Sequence, residues 1–220
     1  MGVYGTIAVE IKEMGVTKMT DLLFYCYGVL THILPFLAVL FLWKRKSPFS
    51  TPLRFVLPIL FGFYVTLVFH ITGAGTLWDA LDLPPELWFA RINPLPFHNE
   101  INIVGYALNA VMFMPFGFLV PIVCPENRKL STVALGGLVF SLLIEASQIL
   151  SLRGTDVDDL IMNTLGAVLG YCFFRLWAFF IGTRNKGFDA KEPIFWILAI
   201  FLGRFLLFNY LGLINLVYGV

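Results

Sequence analysis

Six runs of mostly apolar residues occupy most of this chain: Leu22–Trp43, Leu53–Thr72, Ile101–Pro121, Leu130–Leu150, Val157–Ile181 and Ile194–Leu213. A helix that crosses the hydrocarbon core of a bilayer needs about 20 such residues. Backbone in lipid has to satisfy its own hydrogen bonds, so runs of this kind become helices. The expected fold is therefore all-α: a polytopic membrane helix bundle with about six transmembrane helices and one long exterior loop. Composition agrees, since 59% of residues are hydrophobic and only 13% are charged, against about 25% charged in soluble domains. With 15 basic and 14 acidic residues, the chain has no basic excess to serve as a nucleic-acid footprint. Nothing near Met1 reads as a cleavable signal peptide. Cys26, Cys124 and Cys172 fit no zinc spacing and are odd in number, so they are expected to be buried apolar side chains.

Basic loops stay cytoplasmic. Lys44, Arg45, Lys46, Arg54, Arg128, Lys129, Arg175, Arg184, Lys186 and Lys191 fall on one side of the bundle, and Lys12, Lys18, Arg91 and Arg153 on the other. Asp79, Asp82, Glu86, Glu100, Asp156, Asp158 and Asp159 share the poorly basic side. This places a multi-pass protein in the cell membrane with both termini exterior. Its expected divisions are an exterior tail or interfacial helix at 1–21, an extra helix and basic loop at 22–52, a four-helix core at 53–181, and a basic loop with a final helix at 182–220. The loop from Gly73 to Glu100 carries Trp78, Leu81, Leu83, Leu87, Trp88 and Phe89. It is too hydrophobic for disorder and reads as a lid or re-entrant cover at the membrane surface.

Polar residues inside the runs form stripes. Ser141, Glu145 and Gln148 share one helical face, as do Asp159, Asn163, Gly166 and Gly170, and also Asn102, Tyr106 and Asn109. At the helical rise per residue, Asn109, Glu145 and Asn163 lie roughly 12, 8 and 9 Å below the exterior ends of their helices. Matched depths on three helices point to one polar pocket in the outer leaflet, rimmed by Arg153, Asp156, Asp158 and Asp159. Plainer roles compete. Thr155 or Asp156 could be the N-cap of the fifth span, Gly166 and Gly170 could be a close-packing face, and Arg204 could pair with Glu145.

The segments "NPLPF" (Asn93–Phe97), "NAVMFMPFG" (Asn109–Gly117), "IEASQ" (Ile144–Gln148) and "RGTDVDDLIMNTLGAVLGY" (Arg153–Tyr171) occur in that order. Together they resemble the VanZ-like family of membrane proteins over Arg91 to Tyr171. The resemblance implies signature positions at Asn93, Pro96, Phe97, Asn109, Pro115, Gly117, Glu145, Gln148, Arg153, Asp156, Asp159, Asn163 and Gly166. Pro94 stands where the pattern has another apolar residue, and Asp158 is an addition to the Asp-x-x-Asp pair, so it ranks below Asp156 and Asp159. The implied role is lower susceptibility to teicoplanin-type lipoglycopeptide antibiotics.

The pocket expected to bind a ligand comprises Asn93, Phe97, Asn109, Glu145, Gln148, Arg153, Asp156, Asp159 and Asn163. The ligand would be a membrane lipid, a lipid-linked cell-wall precursor or a lipoglycopeptide, with no nucleic acid involved and no cofactor required. The alternative is a membrane enzyme acting on a lipid-linked phosphate. In that case Glu145, Asp156 and Asp159 are the candidate catalytic groups and also candidate ligands for a divalent cation, with Glu145 a candidate general acid. No Ser/His or Cys/His pair and no nucleotide loop accompanies them. A transporter is the weakest alternative, because no inverted repeat is evident.

Overall fold

The computed structural model describes residues 18–46, 52–98, 102–151, 153–182 and 191–218. The proposed interfacial stretch at the N-terminus (up to residue 17), Glu100, Arg184 and Lys186 lie outside the described residues. The described elements run α1 (Lys18–Lys46), α2 (Pro52–Thr72), α3 (Leu77–Asp82), β1 (Ile92–Asn93), α4 (Ile103–Val123), α5 (Leu130–Ile149), β2 (Thr155–Asp156), α6 (Val157–Ile181), α7 (Glu192–Leu207) and α8 (Tyr210–Tyr218). Five of the helices are long and apolar enough to cross a membrane. Large apolar side chains such as Phe63, Leu108, Val139 and Phe179 are exposed on their outer faces, as expected where lipid replaces water as the solvent. The chain is a polytopic membrane helix bundle.

Backbone proximity organises the centre. Helices α4 and α6 pack most extensively, because glycines remove the side chains that would hold them apart. A Cβ added at Gly166 would overlap the Ala110 carbonyl, one at Gly170 the Met114 carbonyl, and one at Gly117 the Ala167 carbonyl. Such small-residue seams let helices approach closely in lipid. Helix α5 joins α6 through Gly137, which faces Ala167. An aromatic layer of Phe61, Phe69, Phe113, Phe116 and Phe140 fills the space between α2, α4 and α5, with neighbouring ring centroids such as Phe113–Phe140 at 5.3 Å. Helices α1 and α7 form a second close pair, with Gly203 set against the Thr31 carbonyl and Pro35.

Two expectations need correction. The sixth run is not one spanning helix. It breaks after Leu207 into α7 and the short α8. The Asn209 side chain accepts from the Gly212 N–H at 2.7 Å and starts the second helix, while the Tyr27 hydroxyl accepts from the Asn209 N–H at 3.0 Å. Asparagine at an N-cap competes with helix continuation in this way. Of the three cysteines only Cys124 is buried, and Cys26 and Cys172 sit on exposed helix faces. In a bilayer an exposed face is already apolar, so a small thiol gains little from burial there.

The loop after α2 is folded. Thr76 caps α3 and Asp79 returns the bond, a full capping box. The Gly75 N–H reaches the Ser147 hydroxyl at 3.2 Å, and a Cβ at Gly75 would overlap the Ser147 carbonyl. This ties the loop to the C-terminal turn of α5.

Candidate functional site

The site is assembled where α2, α4, α5 and α6 end or begin. Helix α2 closes with a Schellman pattern: Ala74 N–H to Phe69 carbonyl at 3.2 Å and Gly73 N–H to His70 carbonyl at 3.3 Å. Gly73 takes φ +60° to allow it. This closure leaves the Thr72 carbonyl unpaired within the helix, and two side chains take it. Gln148 Nε2 donates at 2.8 Å and Arg153 donates through one terminal nitrogen at 2.9 Å. A cation at a helix C-terminus is favoured by the dipole. The Arg153 guanidinium lies over Gly73, where a Cβ would collide with it.

Beside this anchor, two distant motifs are stitched together. Strand β1 pairs in parallel with β2, with Ile92 opposite Thr155 and Asn93 opposite Asp156. Asp156 is the N-cap of α6, accepting from the Asp158 N–H at 2.9 Å. Its other oxygen accepts from Asn93 Nδ2 at 3.1 Å. Asp158 is buried and accepts from the Phe97 N–H at 2.8 Å and from the Tyr106 hydroxyl. Phe97 is the one described non-glycine residue with positive φ, at 55°, and its ring meets Tyr106 edge-on. The "NPLPF" loop is thus held by the α6 carboxylates.

Below these contacts lies a cavity of about 430 Å³, within the range typical of ligand sites. Asn109, Glu145, Asp159 and Asn163 line its wall, with Gln148 and Arg153 toward the Thr72 side and Ile71 and Met112 supplying apolar surface. Glu145 is 4% exposed, and its carboxylate accepts from the Asp156 N–H at 3.2 Å. Asn109 Nδ2 donates to Asp159. Asn163 Nδ2 is 2.8 Å from the Ser141 hydroxyl. Gln148 Oε1 and Asn163 Oδ1 are buried and have no partner.

The residues expected from matched helix depths, Asn109, Glu145 and Asn163, line one cavity, together with Gln148, Arg153 and Asp159. Asn93, Phe97 and Asp156 do not line it; they fasten the loop above. Asp158, ranked last of the three aspartates, makes the most direct loop contacts. The lining also includes Ile71 and Thr72, which no polar stripe marked. A Thr-Gly pair ending an apolar run is the signal that could have found them. Arg204 does not pair with Glu145: its Nε donates to the Ala74 carbonyl at 2.7 Å, and its guanidinium stacks over Phe208. No described residue of the aromatic loop from Gly73 to Glu100 lines the cavity. Among the described residues no three His, Cys, Asp or Glu side chains converge to hold a metal ion. Each Asp156 oxygen accepts one hydrogen bond, from Asn93 and from the Asp158 N–H.

Comparison with known proteins bears on this region. A sequence model of the VanZ/LLP1 family matches residues 55–178, which include every cavity residue named above. The chain is 32% identical to Protein VanZ of Enterococcus faecium over 102 residues, 46% of this chain and 58% of that protein. It therefore spans less than two thirds of that relative's length. No solved structure matches the chain.

Proposed function

The chain belongs to the VanZ/LLP1 family, and from that premise we propose that it is a cell-membrane protein whose cavity, open to the exterior leaflet, receives the polar part of an amphiphile. By doing so it lowers susceptibility to teicoplanin-type lipoglycopeptides. The observation that carries this reading is the cavity itself. It holds two carboxylates and two buried, unpartnered amide oxygens, in a bundle whose outer faces are apolar. Buried polar groups in a membrane helix are costly and usually serve a polar path or ligand. The excess of lysine and arginine on the opposite side supports an exterior-facing mouth.

The test is the susceptibility of cells expressing the chain or its Glu145→Gln and Asp159→Asn variants at matched protein levels. The variants are expected to lose the protection against teicoplanin that the unaltered chain gives. Protection retained in both variants would sink the reading.

A further inference from the structure

We propose that the cavity binds a primary ammonium group carried beside a phosphodiester, the headgroup of an aminophospholipid such as phosphatidylethanolamine. This deepens the reading above and rests on it for the leaflet from which the ligand enters.

The inference comes from which hydrogen-bonding groups are already used. Asn109 Nδ2 has one of its two N–H groups on Asp159, Gln148 Nε2 has one on the Thr72 carbonyl, and the Asp156 N–H is on Glu145. What the inner wall offers in excess is acceptors. Each carboxylate can take several hydrogen bonds, yet Glu145 and Asp159 each have one donor. Gln148 is 7% exposed, and its Oε1 has none. The orientation of Gln148 is fixed, because a carbonyl partner can only be met by its NH₂ group. Asn163 is less diagnostic, since the Ser141 hydroxyl could pair with either end of its amide.

The charge balance points the same way. The cavity lining holds two carboxylates, and its one cation, Arg153, is exposed. A phosphate pushed inward would meet acceptors and like charge. A cation that also donates N–H bonds satisfies both the carboxylates and the orphan amide oxygen. A quaternary ammonium supplies the charge without the N–H groups. Arg153 uses one terminal nitrogen on Thr72 and lies at the exposed edge of the lining, where its remaining N–H groups can take a phosphodiester oxygen. The ligand would thus sit with its ammonium inward at Glu145 and Asp159 and its phosphate outward at Arg153.

The test is lipid binding to the purified full-length chain, followed by native mass spectrometry during titration with defined lipids. Phosphatidylethanolamine is expected to bind about tenfold or more tightly than phosphatidylcholine, which lacks N–H donors, or phosphatidylglycerol, which lacks the amine. Glu145→Gln combined with Asp159→Asn should erase that preference. Equal binding of either control lipid to the unaltered chain would overturn the inference, and this arm needs no variant to fold. Displacement by soluble glycerophosphoethanolamine at concentrations matching the lipid would overturn the assignment to a membrane-borne headgroup. No discrimination among the lipids by the unaltered chain, with its antibiotic protection intact, would refute this inference and leave the proposed function standing. Discrimination by the unaltered chain without any antibiotic protection would do the reverse.

Discussion

Replacing Asp158 with alanine should release the loop around Phe97 while leaving the transmembrane bundle folded. Asp158 is 2% exposed and accepts from the Phe97 N–H at 2.8 Å and from the Tyr106 hydroxyl. Hydrogen bonds to charged groups contribute about 1.5–3 kcal/mol each. Phe97 is 50% exposed, so its freed N–H can reach water, and the pair together is worth about 2–4 kcal/mol. Against that, Phe97 is held at φ 55°, a left-handed conformation that costs about 1 kcal/mol and relaxes on release. The net loss of local stability is about 1–3 kcal/mol. Amide hydrogen exchange reads this directly. In peptides covering residues 92–98 exchange should accelerate about 5- to 150-fold, while peptides within α5 stay protected. Tyr106→Phe, which removes one of the two bonds, should give a smaller acceleration in the same peptides. Unchanged exchange at 92–98 in Asp158→Ala would refute the claim that this carboxylate fastens the loop.

Gly170→Ala should lower the thermal midpoint of the purified protein, because its Cβ would overlap the Met114 carbonyl; overpacking of this kind costs about 1–3 kcal/mol. Gly73→Ala should also destabilise the protein, since φ is +60° there and the new methyl would displace the Arg153 guanidinium. Its expected cost is about 1–2 kcal/mol, read in the same melting assay. Arg204→Met should remove the donor to the Ala74 carbonyl at a cost of about 1–3 kcal/mol, without changing lipid preference, because Arg204 does not line the cavity.

Much of this was legible in the residues because membrane helices follow simple rules. The length of each apolar run set the span, so Val157–Ile181 emerged with the ends that its composition suggested. Stripes at helical spacing brought Asn109, Glu145 and Asn163 to one cavity. What the pattern could not specify were contacts made by backbone atoms. The Thr72 carbonyl becomes an anchor only after the α2 terminus closes in a Schellman turn. Asp158 looked redundant beside Asp156 and Asp159, but its role depends on where the Phe97 N–H lies, more than 60 residues away in sequence. The break between α7 and α8 is hidden in the sequence for a similar reason. Asn209 interrupts an apolar stretch, and its N–H pairs with the Tyr27 hydroxyl 182 residues away. Cys26 and Cys172 lie on exposed faces because the burial preferences of water-soluble cores do not rank faces that meet lipid.

The most direct measurement is an experimental density map of the chain purified from its native membrane, at a resolution that separates headgroup from water. The expected result is a headgroup in the cavity, with its nitrogen within hydrogen-bonding distance of Gln148 Oε1 and the carboxylates of Glu145 and Asp159, and its phosphate beside Arg153. A cavity filled by the protein's own side chains, or one with a phosphate seated against Glu145 and Asp159, would contradict it.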